Sequence, residues 1–403
     1  MNLCNAGLML SRRNLLAGLG ATLGAGPALG ANMVRLPFAN GDRPLIRLPH
    51  KRPMIGLTAR PPQLETPFGV FAEGPITPND AFFVRYHLSD LPLDIDAQTH
   101  RLVIGGHVDA PLSLSLADLK RDFEAVEIVA VNQCSGNSRG FLEPRVGGGQ
   151  LGNGAMGNAR WRGVPLKALL DKAGVRTGAR QVTFNGLDNP PAPSVPDFIK
   201  ALDIDHARDG GVMVAWGMNG TDLPFLNGYP LRLVVPGHYG TYWVKHLSEI
   251  NVADAVYDGY WMKTAYRIPD NGCACVAPGV KPDKTRPISR LNIRSFVTSH
   301  ADGAQLRAGR ATLGGIAFDG GSGIAKVLVS ADGGTNWQEA ALRQDLGRYS
   351  FREWQAEVAL AKGDHVIKVR AVSNSGEEQP LDPRWQPAGY MRNVVEAVRL
   401  RAV

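Results

Sequence analysis

Residues 132–140 read Asn-Gln-Cys-Ser-Gly-Asn-Ser-Arg-Gly and follow an apolar run, Ala-Val-Glu-Ile-Val-Ala-Val, at 125–131. This pattern predicts a strand that ends in a polar turn. Cys134 therefore stands at a strand end among amide and hydroxyl donors, with Arg139 close by in the sequence, where the thiolate form is favoured. Three roles stay open: a small buried hydrophobe, which the polar turn disfavours, a nucleophile, and a thiolate metal ligand.

The sequence around this turn predicts a mixed α+β domain over residues 32–280. Strand-like runs lie at 82–87, 101–104, 125–131 and 231–235. Short helices are predicted at 115–121 and 165–173. The proline-rich segment 32–80 is expected to be an irregular arm along the surface.

The C-terminal part of the chain has a different pattern. A Pro/Lys-rich stretch at 277–287 is interpreted as a linker. Residues 288–403 then alternate short apolar runs with glycine turns such as Asp-Gly-Gly-Ser-Gly at 319–323. Regular short strands of this kind predict an immunoglobulin-like β-sandwich. The expected fold class is therefore α+β, with a β-sandwich as the second domain.

Residues 1–31 carry no Asp or Glu, and Arg12-Arg13 precede a Gly/Ala-rich apolar stretch that ends in small residues. This predicts a twin-arginine signal peptide and export of the folded protein to the periplasm. The apolar stretch is shorter than the roughly 20 residues that a spanning helix needs, so no membrane anchor is expected. Proteins that are exported in the folded state often carry a cofactor, so the signal favours a protein that contains one.

Composition excludes several classes of protein. The chain has 403 residues with a net charge of +7, but no run of basic residues, which gives nucleic-acid binding little support. Four cysteines are too few for a disulfide scaffold. Cys273 and Cys275 are expected to be ordinary thiols near the linker. No Cys-x-x-Cys-His motif occurs in the sequence, so no covalently bound haem is expected on this chain.

A set of motifs in a fixed order resembles the sulfite oxidase family of molybdenum enzymes. They are Phe-Phe-Val-Arg-Tyr-His at 82–87, Cys-Ser-Gly-Asn-Ser-Arg at 134–139, Ala-Arg-Trp-Arg-Gly-Val-Pro-Leu at 159–166, Phe-Asn-Gly-Leu-Asp at 184–188, Gly-Met-Asn-Gly at 217–220, Pro-Leu-Arg-Leu-Val-Val-Pro-Gly at 230–237 and Trp-Val-Lys at 243–245. Each is weak alone, and together they are specific. Tyr86-His87 is similar to the bacterial sulfite dehydrogenases rather than to the animal enzymes.

The resemblance implies a molybdopterin-binding domain followed by a dimerisation domain. It also implies that the Cys134 thiolate binds molybdenum beside the dithiolene of one pyranopterin. The cofactor-binding residues it implies are Phe83, Val84, Arg85, Tyr86, His87, Asp188, Asn227, Arg232, Trp243, Val244 and Lys245. Among them, Arg232 and Lys245 are chemically suited to a buried phosphate.

The resemblance further implies a pocket for the small oxyanion sulfite. Arg85 and Arg139 match the substrate arginines of the family, and Tyr266 matches its pocket tyrosine. Arg352 matches an arginine contributed by the second domain. Guanidinium groups suit bidentate capture of an oxyanion. His87 is placed two residues after Arg85 on the predicted strand, hence on the same face, where it could tune proton transfer.

The expected function is oxidation of sulfite to sulfate by a homodimeric sulfite dehydrogenase that passes electrons singly to an external c-type cytochrome. Two alternatives stay open. A relative with the same cofactor could reduce nitrate or a sulfoxide, with nitrate favoured by the arginines. A non-catalytic secreted binding protein would leave the polar Cys134 turn unexplained.

Overall fold

A computed structural model describes residues 33–403, which consist mainly of short strands with few helices. The strands of the first part are β1 (Met33–Arg35), β2 (Asp42–Ile46), β3 (Met54–Thr58), β4 (Gln63–Glu65), β5 (Val84–Arg85), β6 (Leu102–Gly106), β7 (Leu112–Leu114), β8 (Val126–Gln133), β9 (Met156–Pro165), β10 (Gln181–Gly186), β11 (Lys200–Asp203), β12 (Met213–Met218), β13 (Thr221–Asp222), β14 (Arg232–Val234), β15 (Leu247–Ala253), β16 (Arg267–Pro269) and β17 (Thr285–Pro287). The α-helices are α1 (Leu116–Asp122), α2 (Leu166–Ala173), α3 (Ile204–Ala207) and α4 (Tyr260–Lys263). Single 3₁₀ turns occur at Phe68–Ala72, Arg139–Phe141, Phe225–Asn227 and Gly240–Tyr242.

Three sheets build most of the first part. Their strand orders are β1-β2-β3-β4-β5, β11-β10-β15-β6-β7 and β13-β12-β9-β8, with β14 paired to β12. The pairing of β8 with β9 is antiparallel and runs from Val126↔Gly163 to Gln133↔Met156. Trp161 of β9 is fully buried in the core. This pairing fixes the end of β8, and Cys134 follows it directly.

The two expected helices form for local reasons. Ser115 caps α1: its hydroxyl accepts a hydrogen bond from the backbone N–H of Asp118, whose side chain accepts one from the N–H of Ser115. Helix α2 buries Leu166, Leu169 and Leu170 on one face and ends at Gly174 in the left-handed conformation. Both therefore lie within about one residue of their predicted bounds.

The structure corrects two expectations about strands. The segment predicted as an irregular arm contributes β1–β4, since alternate residues such as Met54 and Leu64 pack into a small core of their own. The strand expected at 82–87 is reduced to β5, Val84–Arg85. Phe82 and Phe83 turn into the main core, and His87 lies beyond the strand end. The argument that strand geometry puts Arg85 and His87 on one face is therefore wrong.

The second part is a two-sheet sandwich, as expected. Its strands are β18 (Arg294–Val297), β19 (Ala304–Leu306), β20 (Gly309–Phe318), β21 (Ile324–Ser330), β22 (Gln338–Glu339), β23 (Ala341–Leu342), β24 (Arg352–Leu360), β25 (Gly363–Ser373) and β26 (Ala397–Ala402). One sheet has the order β18-β20-β24-β23 and the other β19-β26-β25-β21-β22. Trp354, Leu313 and Ile367 are buried in the core of this part. The mixed α+β fold followed by a β-sandwich is thereby confirmed.

The sandwich packs directly against the Cys134 turn. The backbone N–H of Val131 donates to the carbonyl of Tyr349 at 2.9 Å, and the N–H of Met391 donates to the carbonyl of Ser135 at 2.8 Å. The Asn158 amide donates to the Ser350 hydroxyl at 2.9 Å. Both parts of the chain therefore shape the wall behind Cys134.

Cys273 and Cys275 are joined by a disulfide, with Cα atoms 5.1 Å apart. The expectation of two ordinary thiols is therefore wrong. The Asn271 side chain accepts a hydrogen bond from the N–H of Cys275 and donates one to its carbonyl, which bends the segment so that the two sulfurs meet. Cys134 is the one free cysteine of residues 33–403. Among these residues, no helix is both long and apolar enough to cross a membrane.

Glu65 supports the turn from the opposite side and should make stability depend on pH. Its buried carboxylate accepts hydrogen bonds from the N–H groups of Gly152 and Gly154, and burial raises its pKa from 4.5 to about 7. The folded state therefore keeps this proton in a pH window where the unfolded chain releases it. The contribution of Glu65 to the free energy of unfolding therefore falls as the pH rises from about 4.5 to about 7.

We expect the E65Q variant to lack this slope. Between about pH 4.5 and 7.5, the free energy of unfolding of the wild type should fall relative to the variant by on the order of 3 kcal/mol. Urea unfolding at a series of pH values measures the difference. Glu73, half exposed beside Arg52, provides the control, and E73Q should not change the slope. Parallel curves for E65Q and the wild type would contradict the expectation.

Candidate active site

Cys134 is held by backbone hydrogen bonds on both sides. Its N–H donates to the carbonyl of Ala155 at 2.9 Å, and its own carbonyl accepts from the N–H of Asn137 at 3.0 Å. The Asn137 side chain accepts from the N–H of Ala155, and Ser138 adopts a left-handed φ of 68°. The turn is thus fixed by the main chain, and the half-buried thiol faces a cavity.

The cavity contains Cys134 in its wall. It is lined by Phe82, Phe83, Arg85, His87, Asn132, Cys134, Ser135, Asn227, Arg232, Gly240, Thr241, Trp243, Lys245 and Tyr266. A second cavity shares several of these residues and adds Tyr86, Asp188, Phe198 and Val244. Because residues such as Arg85, His87 and Lys245 line both cavities, the two belong to one site.

Two cations, the buried Arg232 and the half-buried Lys245, line this site. The Arg232 guanidinium lies 4.7 Å from the Trp161 ring centre and donates to the carbonyl of Asn227 at 2.8 Å. Burial lowers the pKa of Arg232 to about 9. Lys245 donates to the carbonyl of Arg85, and burial together with the nearby Arg232 cation moves its pKa well below the usual value. Buried cations of this kind are destabilising unless an anion joins them.

The polar atoms of the site also lack partners within the described residues. The buried Asn132 Oδ1, Ser135 Oγ, Thr241 Oγ1 and Arg232 Nε make no hydrogen bond in residues 33–403, and all four residues line the cavity. A Cβ atom on Gly240 would lie 2.4 Å from Asn132 Oδ1, so the close approach there requires glycine. Unpaired buried polar atoms point to a polar occupant. A pterin with a phosphate group, and a metal bound by the Cys134 thiolate, fit these residues.

Asp188 is the acidic member of the site. It is buried, and desolvation raises the pKa of its carboxyl to about 6, while the Lys245 cation opposes that rise. Near neutral pH the carboxylate form predominates, and this form accepts hydrogen bonds. An acceptor of this kind suits the N–H donors of a pterin ring.

His87 and Tyr266 form a hydrogen-bonded pair on the cavity wall. The Tyr266 hydroxyl and His87 Nε2 are 2.5 Å apart. The His87 ring stacks on Phe198 with centres 3.6 Å apart, and burial and the cation of Arg85 lower its pKa well below the usual value. His87 is therefore neutral near pH 7. The pair presents a neutral hydrogen-bonding edge beside the cationic groups.

The structure brings most of the predicted residues together. Phe83, Arg85, His87, Cys134, Asn227, Arg232, Trp243, Lys245 and Tyr266 line the first cavity, and Tyr86, Asp188 and Val244 line the second. Val84 does not, because its side chain packs with Met54 and Leu64 in the small core. It can serve the site through its backbone alone.

Two predicted substrate arginines do not line either cavity. Arg139 is buried behind Tyr390, with its guanidinium 5.0 Å from that ring centre and hydrogen bonds to the carbonyls of Gly149 and Ala388. Tyr390 in turn stacks on Tyr266, with ring centres 5.0 Å apart. Arg139 therefore supports the pocket from behind.

Arg352 lies outside the site. It begins β24 and pairs with Asp345 at 3.3 Å within the sandwich. The preceding Phe351 packs in the core against Phe71 and Phe318. The prediction that Arg352 contacts the substrate is not supported by this geometry.

Several residues of the site were missed by sequence reasoning. They are Asn132, Ser135, Phe198, Lys200, Thr241 and Tyr390. Asn132 and Ser135 adjoin Cys134 in the quoted turn, so proximity was a usable signal. Lys200 and Tyr390 reach Tyr266 from distant segments through tertiary packing. No local pattern could have indicated them.

Comparison with known proteins agrees with this site. Residues 88–261 match the oxidoreductase molybdopterin binding domain, and residues 285–402 match the Mo-co oxidoreductase dimerisation domain. The mitochondrial sulfite oxidase of Mus musculus is 33% identical over 389 residues, which cover 91% of this chain and 69% of that protein. The chain belongs to the sulfite oxidase family. As a family member it is a molybdenum oxidoreductase that uses molybdopterin, and its sandwich is a dimerisation domain.

Further similar proteins extend the comparison. The Arabidopsis thaliana sulfite oxidase is 27% identical over 397 residues, which cover 91% of this chain and 98% of that protein. A nitrate reductase of Phytophthora infestans is 28% identical over 385 residues, covering 86% of this chain and 41% of that protein. The sulfane dehydrogenase SoxCD of Paracoccus pantotrophus shares the fold, with a TM-score of 0.72 and 24% identity over 91% of this chain and 87% of that chain.

Proposed function

We propose that this chain is a homodimeric sulfite dehydrogenase that oxidises sulfite to sulfate and gives the electrons singly to an external c-type cytochrome. One observation carries the proposal: Cys134, the one free thiol of the described residues, shares a cavity with three cations, Arg85, Arg232 and Lys245. The relatives named sulfite oxidase support the substrate. When bound at Cys134, molybdenum would supply two-electron oxygen-atom transfer chemistry.

The residues of this chain divide the work between cofactor and substrate. Arg232 and Lys245 would bind the cofactor phosphate, with hydroxyls such as that of Thr241 as further donors. Arg85 lies between the two cavities and would orient the sulfite oxyanion by charge and directional hydrogen bonds. The Tyr266–His87 pair would stay neutral near pH 7, so the number of protons bound at this part of the pocket would not change there.

Nitrate reduction is the second candidate, because a nitrate reductase is among the relatives and nitrate is also a small oxyanion. The deciding experiment uses purified cofactor-loaded protein whose molybdenum content is measured. Sulfite with cytochrome c as acceptor is compared with nitrate and methionine sulfoxide, each with a reduced viologen dye as donor. Sulfite-dependent reduction of cytochrome c supports the proposal. Turnover of nitrate alone would replace it with the second candidate.

The cellular location is a separate part of the proposal. The twin-arginine signal at residues 1–31 and Cys4 within it lie outside the described residues. We expect the R12K/R13K double variant not to be exported, because the twin-arginine export machinery recognises the arginine pair of the signal peptide. Fractionation of cells that express the double variant should leave the loaded protein in the cytoplasm. A single substitution elsewhere in the signal, L15A, is the control. Finding the double variant in the periplasm would contradict the assignment of residues 1–31 as a twin-arginine signal.

A further inference from the structure

Lys200 is a fully buried lysine that the proposed function does not use. It begins β11 and pairs across the sheet with Phe184. Its Nζ donates to the carbonyl of Trp261 at 2.6 Å. Within residues 33–403 it forms no salt bridge, and burial alone lowers its pKa to about 7. A buried lysine with no carboxylate partner is destabilising as a cation, so its presence here calls for a role.

The Lys200 ammonium lies against the aromatic face of the pocket tyrosine. Its Nζ is 5.3 Å from the Tyr266 ring centre and 4.7 Å from the Tyr242 ring centre. Such distances are within the range of cation–π attraction. Tyr266 has a left-handed backbone, with φ of 58°, which is an uncommon conformation for a residue of this size. Its ring is therefore held by its neighbours rather than by local backbone preference.

The same short segment supports both members of the pocket pair. Phe198 stacks on His87, and Lys200, two residues later, contacts Tyr266. Trp261 connects them, because its ring packs 5.2 Å from that of Phe198 and its carbonyl accepts from Lys200. Residues 198–200 thus form a support behind the Tyr266–His87 hydrogen bond.

We propose that Lys200 is a positioning residue for the anion pocket, whose buried cation behind Tyr266 keeps the Tyr266–His87 pair neutral and hydrogen-bonded. This inference rests on the proposed function, since it concerns the same pocket. A cation near His87 opposes protonation of the imidazole. A protonated imidazole could no longer accept the Tyr266 hydroxyl proton. Lys200 therefore preserves the geometry that the substrate meets.

The other charges around the pair set the background for this effect. Burial is the largest cause that opposes protonation of His87, and the cations of Arg85, Lys245 and Lys200 add to it in that order. Burial likewise raises the pKa of Tyr266, on which Arg85, Tyr390, Cys134 and Arg139 also act. The pKa of Lys200 is about 7, so its cation is present below that pH and is lost as the pH rises through it. The effect of the Lys200 cation on the Tyr266–His87 pair is therefore confined to pH values below about 7.

Three substitutions at Lys200 separate charge from hydrogen bonding. K200Q keeps an N–H for the Trp261 carbonyl but has no charge, K200R keeps the charge, and K200M keeps neither. The measurement is kcat/KM for sulfite against pH, expressed as the ratio of variant to wild type, in which the protonation of sulfite itself cancels. We expect K200Q and K200M to fall about fivefold or more below the wild type near pH 5.5 and to converge with it above about pH 8.5. K200R should stay near the wild type on the acidic side.

The proposal is overturned if the ratio of kcat/KM between K200Q and the wild type does not change with pH. It is also overturned if kcat/KM of K200R falls on the acidic side as much as that of K200Q. A second measurement requires no turnover and so distinguishes this inference from the proposed function. In loaded protein labelled with ¹³C-lysine, the Lys200 signal, assigned by its loss in K200R, should titrate with a midpoint near pH 7. Y266L should lower that midpoint by about half a pH unit or more, while Y266F, which keeps the ring, should leave it unchanged. Equal midpoints in Y266L and Y266F would also overturn the proposal.

Discussion

Replacing Cys134 by serine is expected to reduce sulfite turnover by about a thousandfold or more while the protein stays folded. Serine is close in size to cysteine, and the hydrogen bonds that build the turn use the backbone N–H and carbonyl of residue 134. The turn should therefore form in C134S. The hydroxyl oxygen cannot replace a soft thiolate as a ligand for a redox metal. Loss of activity should consequently exceed any loss of stability.

The measurements for C134S are kcat with sulfite, molybdenum content and melting temperature. The control is the C273S/C275S double variant, which removes the disulfide. Neither of these cysteines lines the cavity, so activity of the control should stay within about twofold of the wild type. Full activity of C134S at normal molybdenum content would refute the assignment of Cys134 as a ligand.

Replacing Arg85 by glutamine is expected to raise KM for sulfite about ten- to a hundredfold. Arg85 is the one substrate arginine, of the three that the sequence indicated, whose side chain lines the cavity beside Cys134. Charge-assisted hydrogen bonds contribute about 1.5–3 kcal/mol each, which corresponds to that range. Glutamine keeps a donor but loses the charge and the fork. Steady-state kinetics at fixed ionic strength measures the change.

R352Q is the matched control for R85Q. Arg352 pairs with the exposed Asp345 in the sandwich, and pairs of this kind contribute about 0–1 kcal/mol. We therefore expect KM for sulfite to stay within about twofold of the wild type. A rise in KM as large as that of R85Q would return Arg352 to the substrate pocket and contradict its placement. R139Q should lie between the two, because Arg139 reaches the pocket through Tyr390 and Tyr266.

The sequence predicted what local chemistry determines. The strand into Cys134 and its polar turn could be recognised because apolar residues and turn formers are adjacent there. Ser115 and Asp118 likewise mark the start of α1 within four residues. The sandwich was predictable because its strands and glycine turns alternate at short intervals. The motif order added the cofactor-binding residues, most of which do line the cavities.

What the sequence could not predict depends on contacts between distant segments. Arg352 matched a family position by motif, yet the anchoring of Phe351 in the core decides where it lies. Lys200 is a lysine that sequence patterns place on a surface, and only the approach of Trp261 and Tyr266 buries it. Strand β2 contains a proline and β3 a glycine, so their sheet is stabilised by tertiary packing that outweighs weak local preference.

The hydrogen bonds between the sandwich and the Cys134 turn bear on how far the two halves can be exchanged between relatives. Tyr349 and Met391 bond to the backbone of Val131 and Ser135, and Tyr390 covers Tyr266. A chimera joined within residues 277–287 would therefore replace the residues that pack behind the pocket along with the dimer contact. Truncation after that segment would likewise remove this support rather than leave a minimal enzyme. Modular engineering of this protein has to treat residues 349–351 and 388–391 as part of the catalytic half.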